Sequence, residues 1–462
     1  MTTLTQDRTE RAAAALAETE AARFRAARPR QTAAAAAPSA SGFLDRVPLH
    51  WMLDWPAPVP LVLSDARGCH LTDLDGVRLV DLCLGDTAAM FGHGPAPILA
   101  ALADTARRGL ATMLPSADAE PVGRLLAERF GLPVWQMATT ASDANRFAIR
   151  LARAVTGRKK ILVFDGCYHG AVDDTLVDLA DDGRTIARAS LLGQVTDTGA
   201  TTVAIPFNDR DALATALSGG DIAVVLAEPV MTNCGMILPQ PGFLDFLSTE
   251  TARTGTLLLL DETHTLSSGP GGYGRVHGLH PDLFVAGKAV AGGVPCAVWG
   301  MTPEVAERFR AVRAANPAHG HSGIGTTLSG SALQLACLKA ALTDLHTADI
   351  YARMNAGADR IEAGLTAVIA AAGRPWHVAR VGARIEVVFA PEPVRTAAEA
   401  RAASRPGLEA ALHLALLNRG FLLTPFHNML LVAPDLTAAE ADGFVAAYAG
   451  VLADLAAREA DI

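Results

Sequence analysis

The strongest constraint on the fold is an alternation between short, unbroken apolar runs and amphipathic helical segments. Five of the runs, in chain order, are KKILVFDG, DIAVVLAEP, TLLLLDE, DLFVAGK and CAVWG. Strands of a parallel sheet are covered on both faces, so they carry continuous apolar residues instead of an alternating pattern. The alternation therefore predicts an α/β domain with a mostly parallel sheet, whose ligands gather at the carboxyl ends of the strands.

Two further patterns extend this prediction. The segment DANRFAIRLARAV predicts a helix with a single apolar face, made of Ala144, Phe147, Ala148, Leu151, Ala152 and Val155. After about residue 335 a long helical segment leads to HVARVGARIEVVFA, a helix near Gly407 to Asn418, the runs FLLTP and NMLLVAP, and a last helix from about Ala438. This order of helices and strands predicts a smaller α+β domain.

The chain thus divides into four segments. Residues 1–40 are rich in Ala and Arg, and we expect an exposed helix and a flexible linker with no part in the chemistry. Residues 41–95 are expected to contribute to the small domain and to the active site. Residues 96–335 form the large domain, and residues 336–462 form the C-terminal small domain.

Composition limits the function classes. The 462 residues are 50% hydrophobic and 19% charged, which is typical of a globular protein. A net charge of -9 argues against nucleic acid or an anionic membrane as the main partner. The six cysteines form no CxxC pair, which favours reduced thiols over a disulfide framework or a zinc site. With no membrane-length apolar run and no signal peptide, we expect a cytoplasmic protein without a metal site.

One glycine pattern formally matches a nucleotide motif. GPGGYG at residues 269–274 fits GxGxxG, but the dinucleotide fingerprint needs a strand directly before it and a helix directly after it. Here it follows DETHTLSS and precedes RVHGLHPD, which has the composition of a loop. An NAD-binding oxidoreductase therefore stays an alternative with little support.

A lysine at the end of an apolar run is more informative. Only four of the 39 basic residues are lysines, and only Lys288, in PDLFVAGKAVAGGVP, interrupts an apolar stretch. A lysine in an apolar environment is favoured as its neutral amine, and a neutral primary amine forms Schiff bases, which arginine cannot do. The alternative is a lysine that pairs with a carboxylate.

Two other residues fit the same chemistry. Asp261 follows TLLLL, so its carboxylate should emerge at the carboxyl end of a buried strand, where it can hold a pyridinium nitrogen protonated, as pyridoxal phosphate (PLP) requires. Ser142 and Asp143 open a predicted helix, whose free N–H groups would suit a phosphate. Simple capping roles are the alternatives for both sites.

These motifs occur in an order that resembles the class III, fold-type-I PLP-dependent aminotransferases, and most closely the glutamate-1-semialdehyde aminomutase branch. The matching segments run from about Gly68 to the C-terminus. They are LTDLDGVRLVDL, FAIRLARAVTGRKKILVFDGCYHG, AEPVMTNCGMILPQPGFLDFL, LLLLDETHT, HPDLFVAGKAVAGGVPCAVWG and TTLSG. The resemblance implies a large domain with a seven-stranded, mostly parallel sheet and a small α+β domain built from the C-terminal and N-terminal segments.

The resemblance also implies roles at the ring of PLP. Lys288 would carry PLP as a Schiff base, and its freed amine would move a proton between the substrate carbon and the cofactor carbon. Asp261 would bind the ring nitrogen, and Tyr168 would stack on the ring. Asn233, five residues after Glu228 as in the aminomutase branch, would bond the ring hydroxyl.

The remaining implied contacts concern the phosphate and the second ring face. Ser142, with the neighbouring residues Ala141 and Asp143, would hold the phosphate. Thr327 resembles the threonine that reaches the phosphate of the neighbouring subunit, which implies a homodimer with shared active sites. Thr263 takes the place of a valine that packs on the ring in the family. His169, in CYHG, matches the family without a defined role, and packing is its alternative.

The chain departs from the aminomutase branch where the substrate would lie. The family's GSWGPM reads GDTAAM, which brings in Asp86 and Thr87, and a glutamate of the family's SQFEAG aligns with His427. The carboxylate-binding arginine of that branch has no clear counterpart in RVPLHWMLDWPAP, where Arg46 is the nearest candidate and Trp51 is a further candidate contact. These changes suggest a substrate other than glutamate semialdehyde, for example an amine or a compound with a second amino group. For each of these residues, the alternative to a substrate contact is a structural role in support of the site.

The sequence therefore predicts a PLP-dependent aminotransferase. It would move an amino group from an amino acid or amine to a keto acid or aldehyde by a ping-pong mechanism. The alternative within PLP chemistry is an aminomutase or a racemase, because the same lysine and cofactor serve either outcome. A non-catalytic binding protein is less favoured, because Lys288 and Asp261 are both retained.

Overall fold

The computed structural model describes residues 3–38, 41–316 and 322–462. The strands in this part of the chain are β1 (Leu63–Arg67), β2 (His70–Asp73), β3 (Arg78–Asp81), β4 (Val134–Ala138), β5 (Lys160–Phe164), β6 (Val177–Leu179), β7 (Thr185–Ala187), β8 (Thr202–Ile205), β9 (Ile222–Ala227), β10 (Leu257–Asp261), β11 (Leu283–Ala286), β12 (Ala297–Met301), β13 (His377–Val381), β14 (Arg384–Val388), β15 (Phe421–Leu422) and β16 (Met429–Leu431).

The α-helices are α1 (Thr3–Ala27), α2 (Pro29–Ala36), α3 (Ala96–Ala106), α4 (Ala119–Phe130), α5 (Ala141–Thr156), α6 (Arg210–Ser218), α7 (Phe243–Thr254), α8 (Gly272–Val276), α9 (Pro303–Ala315), α10 (Ala332–Ala340), α11 (Ala348–Ala371), α12 (Ala397–Ala403), α13 (Pro406–Asn418) and α14 (Ala438–Asp461). Helices long and apolar enough to cross a bilayer are not found among the described residues.

A seven-stranded sheet forms the centre of the molecule, in the order β4-β12-β11-β10-β9-β5-β8. Neighbouring strands from β8 to β11 run parallel, and β12 runs antiparallel to both of its neighbours. The five apolar runs all form strands of this sheet, and β9 and β10 are buried along their whole lengths because helices cover both faces. The prediction of a seven-stranded, mostly parallel sheet is confirmed.

Helix α5 lies against the sheet with the face that its sequence predicts. Ala144, Phe147, Ala148, Leu151 and Ala152 are buried, as expected from their spacing. Strands β4 and β8 complete the sheet, although their shorter apolar runs did not stand out in the sequence. The helix begins beside the carboxyl ends of the parallel strands, the position that the site requires.

Two smaller sheets join the ends of the chain. The C-terminal hairpin of β13 and β14 pairs with β16, in a three-stranded antiparallel sheet. The hairpin of β2 and β3 forms a second sheet with β1, and β3 pairs with β15, so segments from the two ends of the chain share one sheet. The secondary-structure order expected after residue 335 is present. The proposed boundaries between domains remain a prediction.

The N-terminal segment differs from the expectation of an exposed helix and a flexible linker. Helix α1 packs against α13 and α14, and Ala12, Ala13, Leu16 and Phe24 are fully buried. Small alanines three and four residues apart let one helix approach another closely, which composition alone did not reveal. Part of the supposed linker forms α2, and Arg28 at its start is buried with its Nε 2.7 Å from Asp73. One face of α1 is therefore part of the core, whereas most of residues 29–38 are exposed, and residues 39 and 40 of the expected linker lie outside the described residues.

The GPGGYG pattern has a structural role. Its backbone N–H groups at Tyr273 and Gly274 donate to the buried carboxylate of Glu262, at 2.7 and 2.5 Å. A Cβ on Gly272 would lie 2.6 Å from that carboxylate, so the close approach requires glycine. A five-residue helix, α8, begins within the motif and ends at Val276, and most of the segment after the motif is a loop, as expected. The glycines hold an internal carboxylate here, which removes the support for a dinucleotide site.

Candidate functional site

A cavity of about 350 Å³ opens at the carboxyl edge of the parallel strands. Asp261 is the last residue of β10, Glu228 directly follows β9, and Lys288 lies two residues beyond the end of β11. The loop after β5 brings Tyr168 and His169 to the same edge. Because parallel strands end together, residues far apart in the chain meet here, as the rule for open α/β sheets predicts.

Seven of the nine residues expected to bind a cofactor line this cavity. They are Ala141, Ser142, Tyr168, Asn233, Asp261, Thr263 and Lys288. The two exceptions are Asp143, whose carboxylate accepts from the Thr140 hydroxyl, and Thr327, which is exposed in a turn. The motifs that the sequence placed on separate strands and loops are thus brought together by the fold.

Asp261 is buried and held from three sides. Asn145 donates to its Oδ2 at 2.8 Å, His169 Nδ1 lies 3.0 Å from the same oxygen, and the Thr263 hydroxyl donates to Oδ1 at 2.6 Å. Burial opposes ionisation, but the bonds with His169, Thr263 and Asn145 outweigh it and lower the pKa of Asp261 to about 2. The cavity therefore holds a fixed negative charge at neutral pH.

His169 has a defined position, which its motif alone did not give. It is 1% exposed and lies behind Asp261. Burial opposes its charged form, but the neighbouring Cys167 and Asp261 outweigh this and raise the pKa of His169 to about 10. A protonated His169 both orients the Asp261 carboxylate and compensates part of its charge.

The start of α5 forms the opposite end of the cavity. Thr140 is the N-cap, since its hydroxyl accepts from the backbone N–H of Asp143 at 3.1 Å, so a capping role for Ser142 is wrong. The Ser142 hydroxyl instead accepts from the N–H of Ala171 at 3.0 Å. A Cβ on Gly170 would lie 2.1 Å from that hydroxyl, so this loop can approach the helix only with glycine. The first turn of α5 thus faces the cavity in the geometry that suits an anion.

Lys288 connects to a chain of hydrogen bonds. Its side chain is 28% exposed, its amine lies 2.5 Å from Asp86 Oδ2, and it also contacts His264 Nε2. His264 Nδ1 lies 2.5 Å from the hydroxyl of Thr232, which donates to Glu228 at 2.6 Å. Because the single proton of that hydroxyl goes to Glu228, His264 Nδ1 must be the donor and Nε2 the acceptor that faces Lys288.

The two partners of Lys288 differ in charge. Burial and the nearby Lys288 lower the pKa of His264 to about 4, so the imidazole is neutral at physiological pH. Burial opposes ionisation of Asp86 as well, but the nearby Lys288 holds the pKa of Asp86 well below its ordinary value. The lysine amine therefore lies between one fixed anion and one neutral proton acceptor.

The comparisons with known proteins agree with this geometry. The family described as aminotransferase class-III matches residues 53–446. The chain belongs to the class III aminotransferase family. A glutamate-1-semialdehyde 2,1-aminomutase of Myxococcus xanthus is 35% identical over 370 residues, which cover 79% of this chain and 84% of that protein.

Solved structures match this chain over most of its length. A glutamate-1-semialdehyde-aminomutase from Pseudomonas aeruginosa PAO1 matches with a TM-score of 0.93 and 44% identity, covering 97% of this chain and 99% of the other. A variant of that protein has been solved in complex with PMP. An omega-transaminase from Sphaerobacter thermophilus matches with a TM-score of 0.82 and 27% identity, covering 90% of this chain and 95% of the other.

The class III enzymes depend on PLP, and the residues of this cavity fit that cofactor. The fit rests on a buried carboxylate kept ionised by its neighbours, a primary amine at the cavity wall and the start of a helix at the far end. These groups match a ring nitrogen, an aldehyde and a phosphate, respectively. The cavity volume is also in the range of small-ligand pockets.

The residues predicted to meet the substrate are only partly brought together. Asp86 contacts Lys288, and the buried Thr87 hydroxyl contacts the guanidinium of Arg384. His427 lies outside the cofactor cavity and lines a second cavity of about 180 Å³ beside it. Trp51 lies in a short turn, is 40% exposed and lines neither cavity.

Arg46, the nearest candidate for a carboxylate-binding arginine, has another function. Its guanidinium donates to the carbonyls of Ala34 and Ala35 near the C-terminal end of α2, at 2.6 and 2.7 Å. The cations at the end of a helix bind its unpaired carbonyls in this way. Arg46 therefore stabilises the N-terminal segment in this structure and does not line the cofactor cavity.

The segment that carries Asp86 has an unusual backbone. Leu84, Gly85, Asp86 and Thr87 all have positive φ, at 49°, 57°, 49° and 85°. Such angles are costly for residues other than glycine, and most of all for a β-branched threonine. The contact between Arg384 and Thr87 holds this strained turn in place. In this turn the Asp86 carboxylate faces the Lys288 amine.

Sequence reasoning missed several functional groups. His264 follows Thr263 in the chain, and its contact with Lys288 depends on side-chain placement, which the sequence does not reveal. Arg384 and Glu386 carry the one available signal, which is a pair of charges two residues apart in an otherwise apolar strand, RIEVV. Both are buried, at 1% and 4% exposure. Charges in such a strand need partners, and this indicates a site.

Proposed function

We propose that this class III PLP-dependent enzyme is an aminomutase, which moves an amino group between neighbouring carbons of one substrate molecule. The main support is the similarity to glutamate-1-semialdehyde aminomutases, at 35% and 44% identity over most of both chains. Asn233, at the spacing from Glu228 typical of that branch, lines the cofactor cavity and donates to Glu228 at 2.9 Å. The sequence alone favoured an aminotransferase, and the relatives shift the preference to its alternative.

Bound PLP supplies an electron sink for protons removed from the substrate carbon. In this proposal Asp261, kept ionised by its neighbours, pairs with the ring nitrogen and keeps it protonated. Tyr168 covers one face of the ring, Thr263 lies on the other side, and Ser142 with the first turn of α5 binds the phosphate. The Asp261 carboxylate need not move when the ligand binds, because His169 and Asn145 already hold it in position.

The amine of Lys288 is proposed to move the proton between the substrate carbon and the cofactor carbon. To accept a proton it must first be neutral, and the unprotonated Nε2 of His264 lies in contact with it as an acceptor. The anionic Asp86, 2.5 Å away, stabilises the amine whenever it carries the proton. Asp86 and the Nε2 of His264 would both accept hydrogen bonds from the Lys288 amine and so hold it in position.

A second candidate is an aminotransferase with a ping-pong mechanism. The observation that favours it is the substrate side, where Asp86 and Thr87 replace the residues of the aminomutase branch and Arg46 points away from the cavity. The likeness to an omega-transaminase, at 27% identity, points in the same direction. The two candidates share every cofactor contact and differ in the origin of the amino group.

The fate of one substrate offered alone separates the two candidates. The holoenzyme, converted to its amino-loaded form, is incubated with an α-amino aldehyde, and the products are followed by NMR. An aminomutase forms the isomeric amino ketone over many turnovers without a second substrate. One equivalent of product per site, with turnover only after a separate amino donor is added, would show an aminotransferase instead.

We also propose a homodimer with shared active sites. Thr327, in the segment that resembles the family's phosphate-contacting turn, is exposed and does not line the cavity of its own chain. A second copy would bring it to the phosphate. Light scattering during size-exclusion chromatography is expected to give twice the 48.0 kDa chain mass. The six cysteines are free thiols, which supports a reducing, cytoplasmic setting.

A further inference from the structure

The second cavity, of about 180 Å³, adjoins the cofactor cavity. Asn233 lines both, so the two spaces are neighbours. The described walls of the second cavity include Glu386, Glu409, Arg401 and His427. A substrate held at the cofactor therefore has a polar compartment next to it.

Glu386 is the most informative group in that compartment. It is 4% exposed, and its Oε2 is buried without a hydrogen-bond partner among the described residues. Its other oxygen lies 3.3 Å from Nδ1 of His427. A buried carboxylate oxygen without a hydrogen bond destabilises the fold, so a bound hydrogen-bond donor would be favoured there. The unpaired Oε2 of Glu386 therefore favours a ligand that donates a hydrogen bond in this cavity.

The charges around the cavity argue against a carboxylate as that ligand. Arg401 lines the cavity, but its guanidinium already donates to Asp165 at 2.7 Å. Arg384, on the same strand as Glu386, contacts Thr87 and Met429 and lines neither cavity. His427 also lines the cavity, but its Nδ1 already lies 3.3 Å from Glu386. A ligand carboxylate would meet the repulsion of Glu386. Burial and the neighbouring Glu386 raise the pKa of Glu409 to about 7, so an ammonium group beside Glu409 would favour its charged form.

From these contacts we infer that the second cavity binds the ammonium group of a substrate that carries two amino groups. One amino group would react at the cofactor, and the other would lie between Glu386 and Glu409. An ammonium group supplies up to three donors and a positive charge, which the unpaired Oε2 and the two carboxylates would satisfy. This inference rests on the proposed PLP-dependent function and names the substrate class within it.

A comparison of three amines of equal chain length tests the inference. The ligands are 1,4-diaminobutane, butylamine and 4-aminobutanoate, and each is titrated into the holoenzyme while the cofactor absorbance is followed. We expect half-saturation by the diamine at a concentration about tenfold lower than by either of the others, the size of effect that one charged hydrogen bond gives. Equal concentrations, or a preference for 4-aminobutanoate, would overturn the inference.

Variants then locate the effect. Glu386→Gln keeps the shape of the side chain and removes its charge, and we expect it to bring the half-saturating concentrations of the diamine and butylamine to the same value. Glu409→Gln, at a less buried position, is expected to reduce the preference and serves as the test if the first variant does not fold. Glu304→Gln, on the exposed face of α9, is the matched control. A preference that persists in both cavity variants would place the second amino group elsewhere and refute this site.

The outcomes separate this inference from the proposed function. If none of the three amines changes the cofactor absorbance, reaction at the cofactor itself fails and the proposed function fails with it. If all three change it at the same concentrations, the PLP-dependent function stands and the ammonium site is refuted.

Discussion

The two halves of the candidate site are built in different ways. On the cofactor half, Asp261, Tyr168 and Lys288 come from the ends of strands in one sheet, and each lies in a recognisable motif of its own. On the substrate half, Asp86 comes from a strained turn, and Arg384 and His427 come from the C-terminal part of the chain. Each contact in the second half needs several segments to be placed correctly at once.

The difference shows how a fold allows one half to change without the other. Residues of the cofactor half are fixed by buried hydrogen bonds, such as those of Asn145 and His169 with Asp261. Residues of the substrate half are held by loops and a small sheet. A change there, such as the presence of Asp86 in place of the residue of the aminomutase branch, alters the pocket and leaves the contacts of Asp261 intact. We therefore expect mutations in the first half to cost more activity than matched mutations in the second.

The largest effect is expected from Asp261→Asn. The substitution removes the charge that would hold the ring nitrogen protonated, and we expect kcat/KM to fall by roughly 10³-fold or more. Steady-state kinetics would measure it, together with cofactor content from absorbance. Asp182→Asn, at an exposed turn, is the control. Activity within about tenfold of wild type in Asp261→Asn would show that the cofactor half is less critical than the structure indicates.

A smaller effect is expected from the same chemical change in the substrate half. Asp86→Asn removes the anion beside the Lys288 amine and leaves Asp261 untouched, so we expect kcat to fall by roughly 10- to 100-fold. Cofactor content should equal that of the wild type. A loss as large as that of Asp261→Asn, or a loss of cofactor, would contradict the division of the site into two halves.

The ion pair behind the cofactor should make stability depend on pH. The pKa of His169 is raised to about 10 from 6.5, so between these values the folded chain holds a proton that the unfolded chain has lost. Its contribution is complete below pH 6.5 and falls as the pH rises toward 10. Chemical unfolding should show His169→Gln less stable than wild type by about 3 kcal/mol near pH 6, with a smaller difference at pH 9.5.

A second buried histidine is the control for that experiment. Burial lowers the pKa of His413 to about 4, so this residue is neutral in both folded and unfolded chains above pH 6.5. The stability cost of His413→Gln should therefore stay constant from pH 7 to 9.5. A pH-independent cost for His169→Gln as well would show that His169 is neutral in the folded protein.

The smallest effect is expected from Thr263→Val, which restores the residue type that the family carries. Its hydroxyl donates to Asp261 at 2.6 Å, so removing it should cost about 1 kcal/mol of stability and lower activity less than tenfold. Thermal unfolding and steady-state kinetics would measure the two. A much larger loss of activity would mean that the hydroxyl acts directly on the cofactor or the substrate.

The sequence predicted the sheet and the cofactor half because local patterns encode both. Continuous apolar runs marked five of the seven strands, and strand ends placed Asp261 and Lys288 at one edge. The partners of those residues were harder to predict. His264, Arg384 and Glu386 act through contacts with residues far away in the chain, and periodicity carries no information about such contacts. Alanine-rich α1 was misjudged for a related reason, since its burial depends on a partner helix.

The central claim is that the amine of Lys288 holds the cofactor, and trapping with borohydride tests it most directly. The account predicts a yellow protein that loses its visible absorbance on reduction, with the reduced cofactor bound covalently to the peptide that contains Lys288. Lys288→Ala should show neither the colour nor the covalent adduct, and Lys288→Arg should behave in the same way because arginine forms no Schiff base. A wild-type protein that stays colourless with added PLP, or an adduct on another lysine such as Lys339, would contradict the account.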